Sequence, residues 1–119
     1  MRTVPHAESR ICVRVHYCDP VTAQPLGGPT GQHGLSLLAE DLSESGVRLS
    51  SPQLLAVDTP LLLAFEPTSW QAPIRAVGRV VWVAQPGASD QWDIGVAFTE
   101  LSDGERERLR ALVASRQDR

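Results

Sequence analysis

Two short polar patterns are the parts of this sequence best suited to bind a small charged ligand. Arg10 and Arg14 lie four residues apart, and their planar, permanently charged guanidinium groups can grip phosphates or guanine edges with paired hydrogen bonds. Asp41, Ser43 and Gly46 follow further along the chain. Their carboxylate and hydroxyl groups can take a ligand's donor groups, and a glycine lets a ligand approach the backbone closely. Together, the patterns predict a polar site for a small anion.

Each of these residues also has a purely structural interpretation. Arg10 and Arg14 would serve equally well as solvated residues on the polar face of an edge strand. Asp41 and Ser43 are typical of turns in which the side chain bonds its own backbone, and that role is compatible with binding. Under either interpretation, Gly46 is expected to adopt a backbone conformation that side chains forbid.

Catalytic and metal sites are not predicted. The sequence shows no plausible set of nucleophile, base and orienting residue, and Ser43 lacks the flanking glycines of a nucleophile elbow. The candidate zinc ligands match no paired-ligand spacing; they are His6, Cys12, His16 and Cys18. We therefore expect a noncatalytic protein without metal or cofactor.

Size and composition restrict the class of protein further. The 119 residues fit one domain, and a net charge of −3 argues against binding to long nucleic acids, which requires a broad basic surface. The apolar runs are far shorter than the roughly 20 residues that a membrane-spanning helix needs. If Cys12 and Cys18 share one strand they lie about 20 Å apart, beyond disulfide reach. Reduced thiols and the absence of a visible signal peptide predict a cytoplasmic location without membrane insertion.

Most of the sequence is typical of short strands. From Arg10 to Cys18, apolar and polar residues alternate, which indicates a half-buried strand with both arginines on its outer face. The stretch from Asp19 to Gly34 contains three prolines and four glycines and is expected to be a long hairpin loop. Further strands are predicted at 35–42, 47–50, 61–65, 74–84 and 92–98. Such spacing favours an antiparallel sandwich or barrel.

The final segment changes from strand to helix periodicity. Ser102 and Glu105 have the spacing of a capping box, in which each side chain satisfies a free backbone N–H of the other. A helix is therefore predicted to begin near Asp103, with Leu109 and the nearby apolar residues as its buried stripe.

Taken in order, these features resemble those of the PilZ domain family, whose members are bacterial receptor modules for the second messenger cyclic di-GMP. The likeness rests on Arg10-x-x-x-Arg14, Asp41-x-Ser43-x-x-Gly46, the segments 78–82 and 95–101, and the charged terminal helix. The resemblance implies an all-β fold, a six-stranded antiparallel β-barrel with a C-terminal helix. Residues 1–9 are then expected to be a flexible N-terminal segment, 10–101 the barrel, and 102–116 the helix of the same domain.

The resemblance also implies roles for the candidate residues. Arg10 and Arg14 would contact the guanine edges and phosphates of cyclic di-GMP, while Asp41, Ser43 and Gly46 would line the guanine and backbone side. The implied function is a receptor whose N-terminal segment folds onto the barrel with the ligand and signals to a protein partner. The alternative is a PilZ-fold interaction adaptor that binds no nucleotide, for instance in type IV pilus assembly or motility.

Overall fold

A computed structural model describes residues 15–17, 19–26, 34–67, 72–87 and 90–117. In chain order, the elements are β1 (Val15–His16), β2 (Pro20–Pro25), β3 (Leu35–Leu42), β4 (Gly46–Ser51), β5 (Pro60–Phe65), β6 (Ile74–Ala84), β7 (Trp92–Glu100) and α1 (Asp103–Gln117). Arg10 and Arg14 lie outside the described residues.

The strands form a closed antiparallel barrel. Six strands follow one another in the order β3-β2-β5-β6-β7-β4, and β4 pairs back onto β3 to complete the ring. The short strand β1 is an additional element that pairs with the last two residues of β3. The predicted all-β barrel with a C-terminal helix is therefore confirmed.

Two predictions about the start of the chain need correction. Within the described residues, the predicted strand at 10–18 is confirmed only at Val15–His16, because Tyr17 lies outside the strand. The predicted loop at 19–34 is wrong over Pro20–Pro25, which is β2 and pairs with both β3 and β5. Its prolines occupy the two ends of the strand, where a missing N–H is tolerated, while Val21 and Ala23 point into the core.

The barrel interior is filled by alternating apolar side chains from every strand. Phe65 is fully buried and packs edge-to-face against Tyr17 and Phe98, with ring centroids 6.0 Å and 5.9 Å apart. Such pairs are typically stabilised by about 0.5–1.5 kcal/mol beyond the burial of their area. Leu109 and Leu112 of α1 are fully buried and extend this core beneath the helix.

The start of α1 is held by a cap and by bonds to β6. The Ser102 hydroxyl accepts a hydrogen bond from the Glu105 backbone N–H at 3.1 Å, which is one of the two bonds that the capping box predicts. The Glu105 carboxylate accepts bonds from the Arg75 backbone N–H at 3.0 Å and from the Arg108 guanidinium at 3.1 Å. The helix start is thus bonded to the beginning of β6.

The far end of α1 is joined to the chain just after β1. Arg116 forms an ion pair with Asp19 at 2.9 Å, and its guanidinium carbon lies 5.2 Å from the centre of the Tyr17 ring. The Tyr17 hydroxyl is buried and has no hydrogen-bond partner among the described residues. Burial raises the pKa of this phenol above its usual value, and the nearby Asp19 carboxylate raises it further.

Candidate ligand-binding site

Asp41 faces outward because β3 contains a bulge. The pairing between β3 and β4 shifts register between Ala39 and Asp41, so that Glu40 is an extra residue in β3. An extra residue interrupts the regular alternation of a strand. Glu40 and Asp41 therefore both lie on the outer side, while Leu42 returns to the core and is fully buried.

Ser43 shapes the tight corner between β3 and β4. Its hydroxyl accepts hydrogen bonds from the backbone N–H groups of Ser45 and Gly46, both at 3.2 Å, and lies 3.1 Å from the Ser45 hydroxyl. The Ser43 backbone N–H donates to the Gly46 carbonyl at 2.9 Å. Ser43 is fully buried, so the structure shows it as a turn-forming residue. Its contact with a ligand stays a prediction.

Gly46 is required for a different reason from the one expected. Its φ angle lies outside the left-handed region that favours glycine. A Cβ at this position would lie 2.3 Å from the carbonyl oxygen of Val96 in the neighbouring strand β7. The expectation of a forbidden backbone conformation is therefore wrong, because close approach of two paired strands excludes a side chain here.

A second bulge turns Trp82 outward on β6. The pairing between β6 and β7 shifts register between Val80 and Trp82, and Val81 and Trp82 both face the surface. The indole covers Gly95 of β7, where a Cβ would lie 2.1 Å from the indole Nε1. Trp82 remains 42% exposed. The ring therefore lies against bare backbone and leaves a large part of its surface open to solvent.

These outward-facing residues occupy neighbouring strands and form one pocket. Asp41 pairs with Arg48 across β3 and β4, Arg48 with Gly95 across β4 and β7, and Gly95 with Trp82 across β7 and β6. The pocket has a volume of about 270 Å³ and is also lined by Val47 and Val96. It combines a carboxylate, a cation and an aromatic face.

Arg48 supplies the positive charge beside Asp41. Its Nε atom lies 3.1 Å from a carboxylate oxygen of Glu40 and 3.1 Å from one of Asp41. Neither contact has hydrogen-bond alignment, so the attraction is electrostatic. The Arg48 side chain is 40% exposed, which leaves part of it accessible from the pocket.

Strand β1 lies directly beside this pocket. Val15 pairs with Leu42, and His16 pairs with Asp41. The segment containing Arg10 and Arg14 thus leads into a strand that adjoins the candidate site. The structure describes neither arginine, so their contacts with a ligand remain predictions.

The described part of the chain contains neither a metal-binding cluster nor a membrane-spanning helix. No group of three or more His, Cys, Asp or Glu side chains there could hold a metal ion. No helix among the same residues is long and apolar enough to span a membrane.

Comparison with known families decides what kind of domain carries this pocket. The PilZ domain profile matches residues 8–115, which is nearly the whole chain. This chain belongs to the PilZ domain family. Comparison with curated proteins finds no significant match.

Solved PilZ structures share the fold at low sequence identity. Bacillus subtilis MotI/DgrA, an inhibitor of motility, is 17% identical with a TM-score of 0.72, and the match covers 89% of this PilZ chain and 50% of MotI. The PilZ domain of Escherichia coli YcgR, solved with c-di-GMP, is 12% identical with a TM-score of 0.66 and 90% coverage of both chains. The PilZ domain of CeSA from a cellulose-synthesizing bacterium is 18% identical with a TM-score of 0.63, and the match covers 87% of this chain and 96% of the CeSA domain. This chain therefore spans about half the length of MotI.

The sequence motifs led to only part of this pocket in the PilZ domain. Of the predicted residues that the structure describes, Asp41 lines the pocket, whereas Ser43 and Gly46 form the adjoining β3–β4 corner and are not among its lining residues. Arg48 and Trp82 line the pocket but are not among the site residues that the sequence predicts. The available signal was Gly95, since a glycine within a strand often marks close approach by another group.

Proposed function

We propose that this PilZ domain is a noncatalytic receptor for cyclic di-GMP. One observation carries the proposal: two β-bulges turn Asp41 and Trp82 into the same external pocket, beside Arg48. The Asp41 carboxylate can accept hydrogen bonds from the N–H groups of a guanine edge. The exposed indole face of Trp82 offers a stacking surface for a base. The related YcgR domain was solved with c-di-GMP, which supports the ligand class.

The size of the pocket supports a second contribution from the N-terminal segment. About 270 Å³ lies below the roughly 300–1,000 Å³ that is usual for small-molecule sites. Such a space suits one base of a dinucleotide rather than the whole ligand. Arg10 and Arg14 precede β1, which pairs beside Asp41. In our proposal they cover the remaining base and phosphates, and the segment that carries them folds onto the barrel when the ligand binds.

This ordering of the N-terminal segment is the proposed signal to a partner protein. A segment that closes over the ligand changes the surface next to β1 and the β3–β4 corner. A protein that recognises the closed surface would bind the receptor only when the messenger is present. The ligand can shift the equilibrium between the open and closed positions of the segment only by as much as its affinities for the two states differ.

Isothermal titration calorimetry with cyclic di-GMP tests the proposed site. Arg14→Ala should weaken binding by roughly ten- to a hundredfold, because a bidentate arginine contact typically contributes about 1–3 kcal/mol. Trp82→Ala should weaken it by a similar factor, since base stacking on an aromatic ring contributes about 1–3 kcal/mol. Arg75→Ala is the matched control, because Arg75 is exposed and does not line this pocket. Equal affinities for wild type and both site variants would refute the assignment.

A thermal shift assay separates the receptor from the alternative adaptor. A ligand present at about a hundred times its dissociation constant stabilises the folded state by roughly 2.7 kcal/mol. The receptor proposal predicts a clear rise in Tm with cyclic di-GMP at high micromolar concentration. An unchanged Tm would instead indicate a PilZ-fold adaptor that recognises proteins without the nucleotide.

A further inference from the structure

The outer surface of β2, β5 and β6 carries several exposed or partly exposed apolar side chains that no described element covers. Leu26 follows β2 and donates its backbone N–H to the Pro60 carbonyl at 2.9 Å, while Leu62 pairs with Val77. Leu26, Leu62 and Val81 are 39%, 36% and 49% exposed. We define the outer apolar face as Leu26, Pro60, Leu62, Val77 and Val81. Contiguous exposed apolar surface with a polar rim is typical of interaction sites.

Three arginines on or near this face form no ion pair with a described residue. The ion-paired arginines among the described residues are Arg48, Arg108, Arg110 and Arg116. Arg75 and Arg79 alternate with Val77 on the outer side of β6, and Arg106 lies on the first turns of α1. Among the described residues, none of these three guanidinium groups has an ion-pair partner. Three guanidinium groups without an ion-pair partner in the described part of the chain therefore lie at this surface, although the net charge of the chain is −3.

The apolar face continues into a groove at the start of α1. The groove has a volume of about 580 Å³, and its lining includes the apolar Leu62 and Val77 and the basic Arg75 and Arg106. Glu105 also lines it, but its carboxylate already accepts bonds from Arg108 and from the Arg75 backbone. Glu100, which pairs with Val77, adds one negative charge. Arg75 and Arg106 therefore outnumber Glu100 among the remaining charged residues that line the groove, and Arg79 adds positive charge on the adjoining outer side of β6.

We propose that the outer apolar face and this groove bind an acidic amphipathic segment of a partner protein. Apolar side chains of the segment would cover Leu62, Val77 and Val81. Its carboxylates would pair with the guanidinium groups on either side, where paired arginine–carboxylate geometry adds directionality to the contact. Charge complementarity favours this occupant over a basic or neutral one. The proposal does not depend on the identity of the ligand in the pocket beside Trp82.

The groove adjoins the corner that carries the ligand-binding motif. A neighbouring cleft of about 270 Å³ is lined by Glu44 and Ser45 of that corner and shares Arg106 with the groove. The Phe98 backbone N–H also donates to the Ser45 carbonyl at 2.9 Å. A partner in the groove would therefore lie next to backbone that is bonded to the β3–β4 corner. This places the proposed docking surface where it can sense changes at the ligand site.

Titration of the full chain with synthetic peptides tests the surface directly. One probe is an 18-residue amphipathic peptide of leucine and glutamate, and the second has the same leucines with lysine in place of glutamate. The ¹⁵N-labelled protein reports binding through amide shifts. The proposal predicts that only the glutamate peptide binds and that the shifted amides map to β5, β6 and the start of α1.

Variants assign the binding to the proposed residues. The triple variant R75E/R79E/R106E should bind the acidic peptide at least roughly tenfold more weakly, because three attractions become repulsions at a partly desolvated surface. Leu62→Ser with Val81→Ser should weaken both binding and the shifts while leaving the fold intact, because both side chains are exposed. Arg110→Glu is the control charge reversal, since Arg110 lies away from the groove and pairs with Glu44 and Glu107.

Three results would overturn the proposal. The first is equal binding of the lysine and glutamate peptides. The second is a titration with the acidic peptide that shifts no amide of the protein, or only amides away from β5 and β6. The third is a homodimer in analytical ultracentrifugation that the Leu62→Ser and Val81→Ser changes dissociate, which would make a second copy of this chain the occupant.

Discussion

Replacing Gly46 with alanine tests whether the motif glycine serves the fold or only the ligand. An alanine Cβ would lie 2.3 Å from the Val96 carbonyl oxygen, 3.3 Å from its carbonyl carbon and 3.4 Å from the Ala97 Cα. All three atoms belong to the backbone of β7, which pairs with β4 at this point. No side-chain rotation can relieve the contact. The strands must therefore move apart by about 1 Å to reach ordinary carbon–oxygen separations of roughly 3.3–3.6 Å.

The size of the effect follows from this rigidity. Overpacking in a well-packed region typically destabilises a protein by about 1–3 kcal/mol. Against this, alanine lowers the entropy of the unfolded chain, which contributes about 0.4–1 kcal/mol in favour of folding. Gly46→Ala should therefore lower the free energy of unfolding by about 1–2 kcal/mol in the absence of any ligand. The β4–β7 pairing next to the candidate site would weaken as well.

Urea unfolding of two matched alanine variants measures this difference. Gly104→Ala is the control, because a Cβ at Gly104 meets no atom within 4 Å and the residue lies in α1. Alanine at a helical position should stabilise the protein by up to about 1 kcal/mol. The two midpoints should thus move in opposite directions. A Gly46→Ala midpoint equal to that of wild type would refute the close-approach argument and leave ligand contact as the reason for the glycine.

Three further changes test other parts of the structure. Gly95→Ala should displace the Trp82 indole, which can rotate, and so weaken cyclic di-GMP binding in calorimetry and alter tryptophan fluorescence with little loss of stability. Tyr17→Phe should be neutral or stabilising by about 1 kcal/mol, because it removes a buried hydroxyl that has no hydrogen-bond partner among the residues described by the structure. The pKa of Tyr17 is raised in the folded state, so its phenol ionises first in the unfolded chain, and wild type should lose stability above about pH 10. Urea unfolding across that pH range should show a smaller loss of stability for Tyr17→Phe. Arg116→Ala should lower the free energy of unfolding, measured by thermal unfolding, by about 1 kcal/mol, because it removes the ion pair with Asp19 and the contact with the Tyr17 ring. The same change at exposed Arg106 should have almost no effect, and equal losses would contradict this account.

Local sequence signals were sufficient to predict the elements whose ends and periodicity are determined by adjacent residues. Ser102 marked the start of α1 because its hydroxyl caps the helix within three residues. The strand at 74–84 and the hairpin that it forms with β7 followed from β-branched residues and turn chemistry. In contrast, the sequence does not predict β2, because the prolines at its two ends are typical of loops. Pairing with strands on both sides overrides that local preference.

The candidate site was only partly predictable for a related reason. The motif containing Asp41 and Ser43 is visible in the sequence, and the structure places both at one corner. Arg48 lies only two residues after Gly46 and pairs with Asp41 across the β3–β4 hairpin. Trp82 is far from the motif in sequence and reaches the pocket only through the pairing of β4 with β7 and of β7 with β6. Sequence spacing carries no information about a neighbour from such a distant strand. The reason for Gly46 was equally hidden, because the obstructing carbonyl belongs to Val96.

The two bulges explain how a filled barrel can carry a polar site on its outer wall. In a regular strand, consecutive side chains face opposite sides. Asp41 would then face inward when Glu40 faces outward, and Trp82 would face inward when Val81 faces outward. A buried carboxylate without a partner is strongly unfavourable. One extra residue in each strand lets two consecutive side chains face outward and returns Leu42 and Val83 to the core side. The same insertion therefore satisfies the core and opens the pocket, which is why bulges are expected beside binding sites rather than within uniform sheet.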